Sequence, residues 1–152
     1  MQAGCQESFW QFTQGSNWSK ALNRAPIAAG PDFTSVYTRF DEFASPGAAA
    51  STLAGAAHIA VQDICPGRPV EHFTLVVDNV AYALALDALT HDGPADPARI
   101  SASVCGSVFM PLDYPGLVTS VPSLLAIPVY AWLGSPPWTW QRAEPALRTY
   151  AR

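Results

Sequence analysis

The sequence is poor in charged residues, and positive charge is the scarcest. Only 13% of the 152 residues are Asp, Glu, Lys or Arg, the net charge is −4, and Lys20 is the single lysine. Proteins that bind nucleic acid need clustered lysine and arginine side chains to replace the counterions of the phosphates. The composition therefore argues against a nucleic-acid partner.

Motifs for metal binding and for export are also missing. The sequence has no C-x-x-C and no cluster of Cys and His, so we expect no zinc or other metal site and no cofactor. Its first residues lack a basic segment followed by an apolar one, and Gln2-Ala3-Gly4-Cys5 leads directly into Glu7. We therefore expect this chain to carry no export signal of its own.

A long uncharged stretch, from Tyr114 to Gln141, raises the question of a membrane span. Prolines at positions 115, 122, 128, 136 and 137 interrupt it. No uninterrupted apolar run approaches the roughly 20 residues that a transmembrane helix requires. We expect a buried or pocket-lining segment here and no transmembrane span.

Hydrophobic residues are plentiful at 49%, and they are accompanied by 14 prolines and 10 glycines. This combination predicts one domain over residues 1–152, with a real core and many loops and short elements. The periodicity predicts strands at Phe33–Thr38 and His58–Ile64, and helices at Glu7–Gln14, Ser16–Asn23 and Leu75–Thr90. This order indicates an α/β architecture, but two strands alone rarely form a stable doubly covered sheet.

Two polar residues follow the predicted strands, each in a loop. Asp41 comes after the first strand and His72, 31 residues later, after the second and a proline turn. Taken alone, Asp41 is readily explained as a loop-capping carboxylate and His72 as a surface histidine. The other interpretation is an acid–base pair at the carboxyl ends of neighbouring strands, where α/β sheets bind ligands.

Several segments resemble one family of enzymes, in the same order along the chain. They are residues 8–11, 35–42 with Ser45-Pro46, 61–65, 70–72 and 144–151. Together they resemble the C-terminal half of lipases of the Candida antarctica lipase B type and their bacterial relatives. The resemblance is weakest over residues 106–141. It implies the last parallel strands and flanking helices of an α/β-hydrolase fold, without the central strands.

The resemblance also implies roles for individual residues. Asp41 would orient the imidazole of His72, and His72 would be the general base that activates a serine. The family pattern pairs Cys65 with Cys105, which leaves Cys5 without an assigned partner. The family acts on lipid or ester substrates and is secreted.

One apolar segment, residues 122–133, resembles the family's helix beside the acyl channel. On that resemblance Leu124, Leu125 and Val129 would touch substrate. Ordinary core packing is the equally open alternative for these three residues.

A nucleophilic serine is missing. No two glycines are four positions apart, so the G-x-S-x-G elbow of α/β-hydrolases occurs nowhere in the sequence. The nearest approach is Phe43-Ala44-Ser45-Pro46-Gly47. The residue after the nucleophile must donate its backbone N–H to the oxyanion, and Pro46 has none. Ser45 is therefore rejected.

The functional expectation is a truncated lipase or carboxylic ester hydrolase. It would retain the acid and base of a Ser–Asp–His triad but, without a nucleophile, would be inactive alone. One alternative is half of a split lipase, complemented by an N-terminal chain. The other is a non-catalytic module that binds lipid or a partner through the tryptophan-rich region Trp132–Trp140.

Overall fold

The computed structural model describes residues 4–25, 27, 29–113, 115–116, 118–119, 122, 126, 129 and 133–151. The chain divides into two compact units. The first comprises Met1–Ala25 and Asp113–Arg152, and the second comprises Pro26–Leu112. Both residues of the candidate acid–base pair belong to the second unit. None of the helices in the described ranges is long and apolar enough to cross a membrane.

In the first unit two short helices pack on each other, α1 at Glu7–Phe12 and α2 at Asn17–Leu22. The hydroxyl of Ser16 caps α2 by accepting a hydrogen bond from Ser19 N at 3.0 Å. Glu144 accepts hydrogen bonds from the backbone N–H groups of Asn17 and Trp18, at 2.7 and 2.8 Å. Its negative charge suits the positive end of the helix.

The two helices occur where the sequence predicts them, but they bury less than expected. Phe12 and Leu22, which are residue types that are usually buried, are exposed, and Trp10 and Trp18 are half-buried. The indole N–H of Trp10 donates to the carbonyl of Gln141 at 3.0 Å, so this side chain serves a polar contact as well as packing.

The second unit is built around two parallel strands, β1 at Thr34–Tyr37 and β2 at Ala57–Ala60. Val36 lies opposite Ile59 in their register. Helix α3 at Gly47–Ala50 lies between the two strands in the chain, and α4 at Val61–Ile64 and α5 at Asn79–Thr90 follow β2. Short 3₁₀ helices occupy Thr74–Val77, Pro97–Arg99 and Ala102–Gly106. This mixed architecture agrees with the α/β prediction at a coarse level.

A small apolar core joins these elements. It consists of Ile59, Val61, Cys65, Val70, Val80, Leu84 and Ala95. Cys65 forms a disulfide bond with Cys105, 40 residues away, as the resemblance implied. The disulfide ties the end of α4 to the 3₁₀ helix at Ala102–Gly106, beside the core.

Two predicted elements have different bounds in the structure. The strand predicted to run to Ile64 ends at Ala60, because the carboxylate of Asp63 accepts a hydrogen bond from Ala60 N at 2.9 Å and starts α4. The helix predicted from Leu75 begins at Asn79, because Asp78 Oδ1 accepts from Val80 N and Ala81 N. The segment soon after Ser45 forms the short helix α3.

Candidate active site

Asp41 and His72 lie side by side in the second unit. Asp41 follows β1 by four residues, and His72 follows the turn after α4. The imidazole Nδ1 lies 2.9 Å from Asp41 Oδ2 and 3.1 Å from Oδ1. Because an ionised carboxylate only accepts hydrogen bonds, it holds the proton of a neutral imidazole on Nδ1 and leaves Nε2 as the basic nitrogen.

The carboxylate of Asp41 also organises its own loop. Its Oδ1 accepts hydrogen bonds from Phe43 N at 3.0 Å and from Ala44 N at 2.6 Å. The two explanations given for Asp41, loop cap and partner of a histidine, are therefore both correct for the same side chain. Burial raises the pKa of Asp41, but the hydrogen bonds from His72 and from Ala44 N outweigh it and hold the pKa below its ordinary value.

The imidazole of His72 lies in an aromatic environment and is 41% exposed. The ring centroid of Phe43 is 5.2 Å away, and that of Phe73 is 5.3 Å away, edge-on. Among the residues that the structure describes, none forms a hydrogen bond with Nε2 of His72. The imidazole, whose Nε2 is the nitrogen that a general base uses, lies beside the exposed rings of Phe43 and Phe73.

Two glutamates hold the backbone around His72. Glu42 Oε2 accepts a hydrogen bond from His72 N at 3.2 Å, and Glu71 accepts from Phe73 N and Thr74 N. A hydrogen bond from the Thr74 side chain and these amide contacts lower the pKa of Glu71. Glu42 and Glu71 therefore both hold backbone N–H groups of the segment that carries His72.

Asp63 also has specific partners. It caps α4 and forms an ion pair with Arg39 at 2.5 Å. This pair joins α4 to the start of the loop that carries Asp41.

Beneath the acid–base pair lies a buried polar network that sequence reasoning missed. Thr38 Oγ1 donates to the carbonyl of Val70 at 2.6 Å and accepts from Gln62 Nε2 at 2.9 Å. Gln62 Nε2 also donates to the carbonyl of Arg68, and Gln62 Oε1 accepts from Arg39 N, both at 3.0 Å. Both side chains are buried. The sequence does contain a signal of this network, because a polar residue lies within each of the two apolar runs, at Thr38 and at Gln62.

The remaining histidines have local roles. His58, on β2, accepts a hydrogen bond from Leu53 N through Nε2 at 2.7 Å. His91 follows the last residue of α5 and contacts Asp87. Each of these contacts joins residues within five positions of each other along the chain.

The structure describes one of the three predicted substrate-binding residues. Leu124 and Leu125 lie outside the described residues. Val129 belongs to the first unit and is exposed. Their role in binding substrate stays a prediction.

A small cleft lies on one side of the loop that carries His72. It has a volume of about 170 Å³ and is lined by Arg68, Pro69, Val70, Thr74, Asp78, Val108 and Phe109. Sites for small molecules usually enclose roughly 300–1,000 Å³. The cleft is therefore too small to hold a long acyl chain.

No protein-family model matches the chain, and a comparison with curated proteins finds no match. The likeness to the lipases thus rests on the segments quoted from the sequence.

Proposed function

We propose that this chain supplies the acid and the base of a serine ester hydrolase of the lipase type, with Asp41 as the acid and His72 as the base. The 152 residues include no acceptable elbow serine, so the proposal also predicts that the chain alone does not hydrolyse esters. The nucleophile and the oxyanion hole would come from a separate polypeptide segment, which would complete the sheet and the site.

The observation that carries this proposal is the contact between Asp41 Oδ2 and His72 Nδ1 at 2.9 Å. A serine hydroxyl is a weak nucleophile until a base removes its proton. A carboxylate on Nδ1 keeps Nε2 unprotonated for that task and then stabilises the imidazolium that forms. The geometry supports this role, because Nε2 has no hydrogen-bond partner among the described residues.

The surroundings of the pair support an ester of low polarity as the substrate. Phe43 and Phe73 contact the imidazole, and Phe40 and Val76 are exposed in the same two loops. Apolar surface next to the base favours acyl or alkyl groups over charged ones. We therefore propose carboxylic esters of lipid type as the substrate class.

The test has two stages, both using p-nitrophenyl esters. The isolated chain is expected to show no hydrolysis beyond the slow rate of a free imidazole, and no labelling by a fluorophosphonate that reacts with activated serines. The chain is then co-expressed with an N-terminal lipase half that carries a G-x-S-x-G elbow. Hydrolysis is expected to appear in the complex and to fall by about 10³-fold or more in His72→Ala and Asp41→Ala.

Matched controls are His58→Ala and His91→Ala, which remove imidazoles that have other contacts. Both are expected to leave the activity of the complex unchanged. Robust hydrolysis by the isolated chain that His72→Ala abolishes would overturn the predicted inactivity. A complex whose activity is indifferent to His72→Ala would overturn the assignment of the base.

The second candidate is a lipid-binding module without catalysis. The exposed indole of Trp138, with 85% of its surface accessible, favours this role. Aromatic side chains of this kind insert readily into membrane interfaces. Binding to phosphatidylcholine liposomes that persists in Asp41→Ala and His72→Ala, and is lost in Trp138→Ser, would support it.

A further inference from the structure

We propose that Gln62 is a positioning residue, which sets the separation of the two loops that carry Asp41 and His72. This inference deepens the proposed function and rests on it for its biological meaning. Gln62 is neither the acid nor the base of the pair. Its described hydrogen bonds do not include one to the imidazole of His72. It acts through the backbone on which both groups are mounted.

The three hydrogen bonds of the Gln62 amide reach both loops. On the Asp41 side, Oε1 accepts from Arg39 N, two residues before the acid. On the His72 side, Nε2 donates to the carbonyl of Arg68, four residues before the base. One side chain therefore links the two segments from which the pair extends.

Thr38 strengthens the same link. Its hydroxyl accepts from Gln62 Nε2 and donates to the carbonyl of Val70, two residues before His72. It also accepts from Phe40 N at 3.2 Å, next to Asp41. Thr38 is fully buried and Gln62 is 6% exposed, so water cannot readily replace these bonds.

The orientation of the Gln62 amide is determined by its backbone partners. A backbone N–H only donates and a carbonyl only accepts, so the oxygen must face Arg39 N and the nitrogen must face Arg68 O. Removing the amide would leave Arg39 N and Arg68 O, which are partly buried, without these partners, and an unpaired polar group away from water is destabilising. The two loops are then expected to move apart, because their unpaired backbone groups regain hydrogen bonds with water.

Displacement of either loop bears directly on the acid–base pair. Asp41 and His72 meet only where Nδ1 faces the two carboxylate oxygens, and hydrogen bonds of this kind weaken steeply with distance and angle. Once that contact lengthens, the carboxylate no longer holds the imidazole proton on Nδ1. The tautomer of His72 therefore shows whether Gln62 holds the two loops at the separation that the pair requires.

The experiment measures the ¹⁵N chemical shifts of His72 in the full chain, because they distinguish the two neutral tautomers. The native chain is expected to show the proton on Nδ1. In Gln62→Met, which keeps the length of the side chain and loses its hydrogen bonds, most of the population is expected to move to the Nε2–H form. An unchanged tautomer in folded Gln62→Met would overturn the proposal.

The first control is Leu84→Ala, which opens a cavity in the core and should lower the midpoint of thermal unfolding of the chain. It is expected to leave the His72 tautomer unchanged, because Leu84 has no part in the network. An equal tautomer shift in Leu84→Ala and Gln62→Met would show a general loss of stability and overturn the proposal.

A second pair of variants applies if Gln62→Met fails to fold. Thr38→Ser keeps the hydroxyl and is expected to preserve the Nδ1–H form, whereas Thr38→Val removes it and is expected to lose that form. Identical tautomers in the two would overturn the proposal. None of these measurements uses ester hydrolysis. The tautomer result therefore stands even if a lipase half fails to restore activity to the chain.

Discussion

Arg68 and Asp78 form a buried ion pair, with Arg68 Nε 2.5 Å from Asp78 Oδ2 and side chains that are only 8% and 2% exposed. Arg68 also donates to the carbonyls of Ser107 and Val108, both at 2.7 Å. Asp78 in turn caps α5 through Val80 N and Ala81 N. The pair thus joins the turn before His72, the start of α5 and the segment after the disulfide.

Removal of one member of this pair is expected to destabilise the chain strongly. Arg68→Met leaves the Asp78 carboxylate buried without its cation, a situation that costs about 3–5 kcal/mol. The measurement is the free energy of unfolding from urea titration. The matched control is Arg39→Met, which breaks the exposed ion pair with Asp63, 48% and 40% exposed, and should cost about 1 kcal/mol or less. Equal losses in the two variants would contradict the prediction.

The disulfide between Cys65 and Cys105 should dominate the response to reductant. It closes a loop with a sequence separation of 40, and a cross-link of that length stabilises by about 3–4 kcal/mol in the chain-entropy model. Dithiothreitol is expected to lower the urea midpoint of the native chain and of Cys5→Ser. The double variant Cys65→Ala/Cys105→Ala should have a lower urea midpoint from the outset, and dithiothreitol should not change that midpoint. The prediction would be contradicted if dithiothreitol no longer lowered the urea midpoint of the single variant Cys5→Ser.

Local signals in the sequence were enough to predict several features of the second unit. The β-branched and aromatic run before Asp41 predicts a strand that the structure confirms at Thr34–Tyr37. An aspartate also favours the start of a helix, and Asp78 caps α5 in the structure. Strand propensity and helix capping both depend on residues a few positions apart, so the sequence shows them directly.

The features that were missed depend on contacts between distant parts of the chain. Gln62 lies 24 residues from Thr38, and its polar character in an apolar run has no local explanation. Glu42 reaches the backbone of His72, 30 residues away. Only the pairing of β1 with β2 brings these groups together, and periodicity carries no information about which polar side chain meets which loop.

Gly47 allows a close approach of the chain to the loop that carries Asp41. A Cβ built on Gly47 would collide with the carbonyl oxygen of Thr38. Gly47→Ala is therefore expected to shift this backbone and to cost about 1–3 kcal/mol, as overpacked substitutions do. The measurement is the midpoint of thermal unfolding. The matched control is Gly106→Ala, where a Cβ meets no atom within 4 Å. An equal change in the two variants would count against the predicted collision.

Asp87 should make stability depend on pH in the acid range. Hydrogen bonds from Arg99 and from Asp96 N lower its pKa from 3.8 to about 2. A carboxyl whose pKa is lower in the folded state contributes stability that is fully present above its ordinary pKa. The contribution should therefore disappear as the pH falls from about 4 through about 2.

The test of this dependence compares the thermal midpoint of the native chain with that of Asp87→Asn over the acid range. The difference between them is expected to be largest above about pH 4 and to shrink towards pH 2. Asp92→Asn, at an exposed neighbouring position, serves as the control and should follow the native curve. A difference that grows as the pH falls would contradict the assignment.

The pKa of Asp41 should depend on His72. Burial acts to raise this pKa, and the hydrogen bond from the imidazole is the largest of the contributions that lower it. His72→Phe keeps a ring in the aromatic cluster and removes the donor, so the pKa of Asp41 is expected to rise. Titration of the Asp41 carboxyl carbon by ¹³C NMR measures the change. The control is His58→Phe, which alters a histidine that accepts a hydrogen bond from Leu53 N. It is expected to leave the pKa of Asp41 unchanged. If the pKa of Asp41 stays the same in His72→Phe, the carboxylate is serving only as the cap of its own loop, through Phe43 N and Ala44 N.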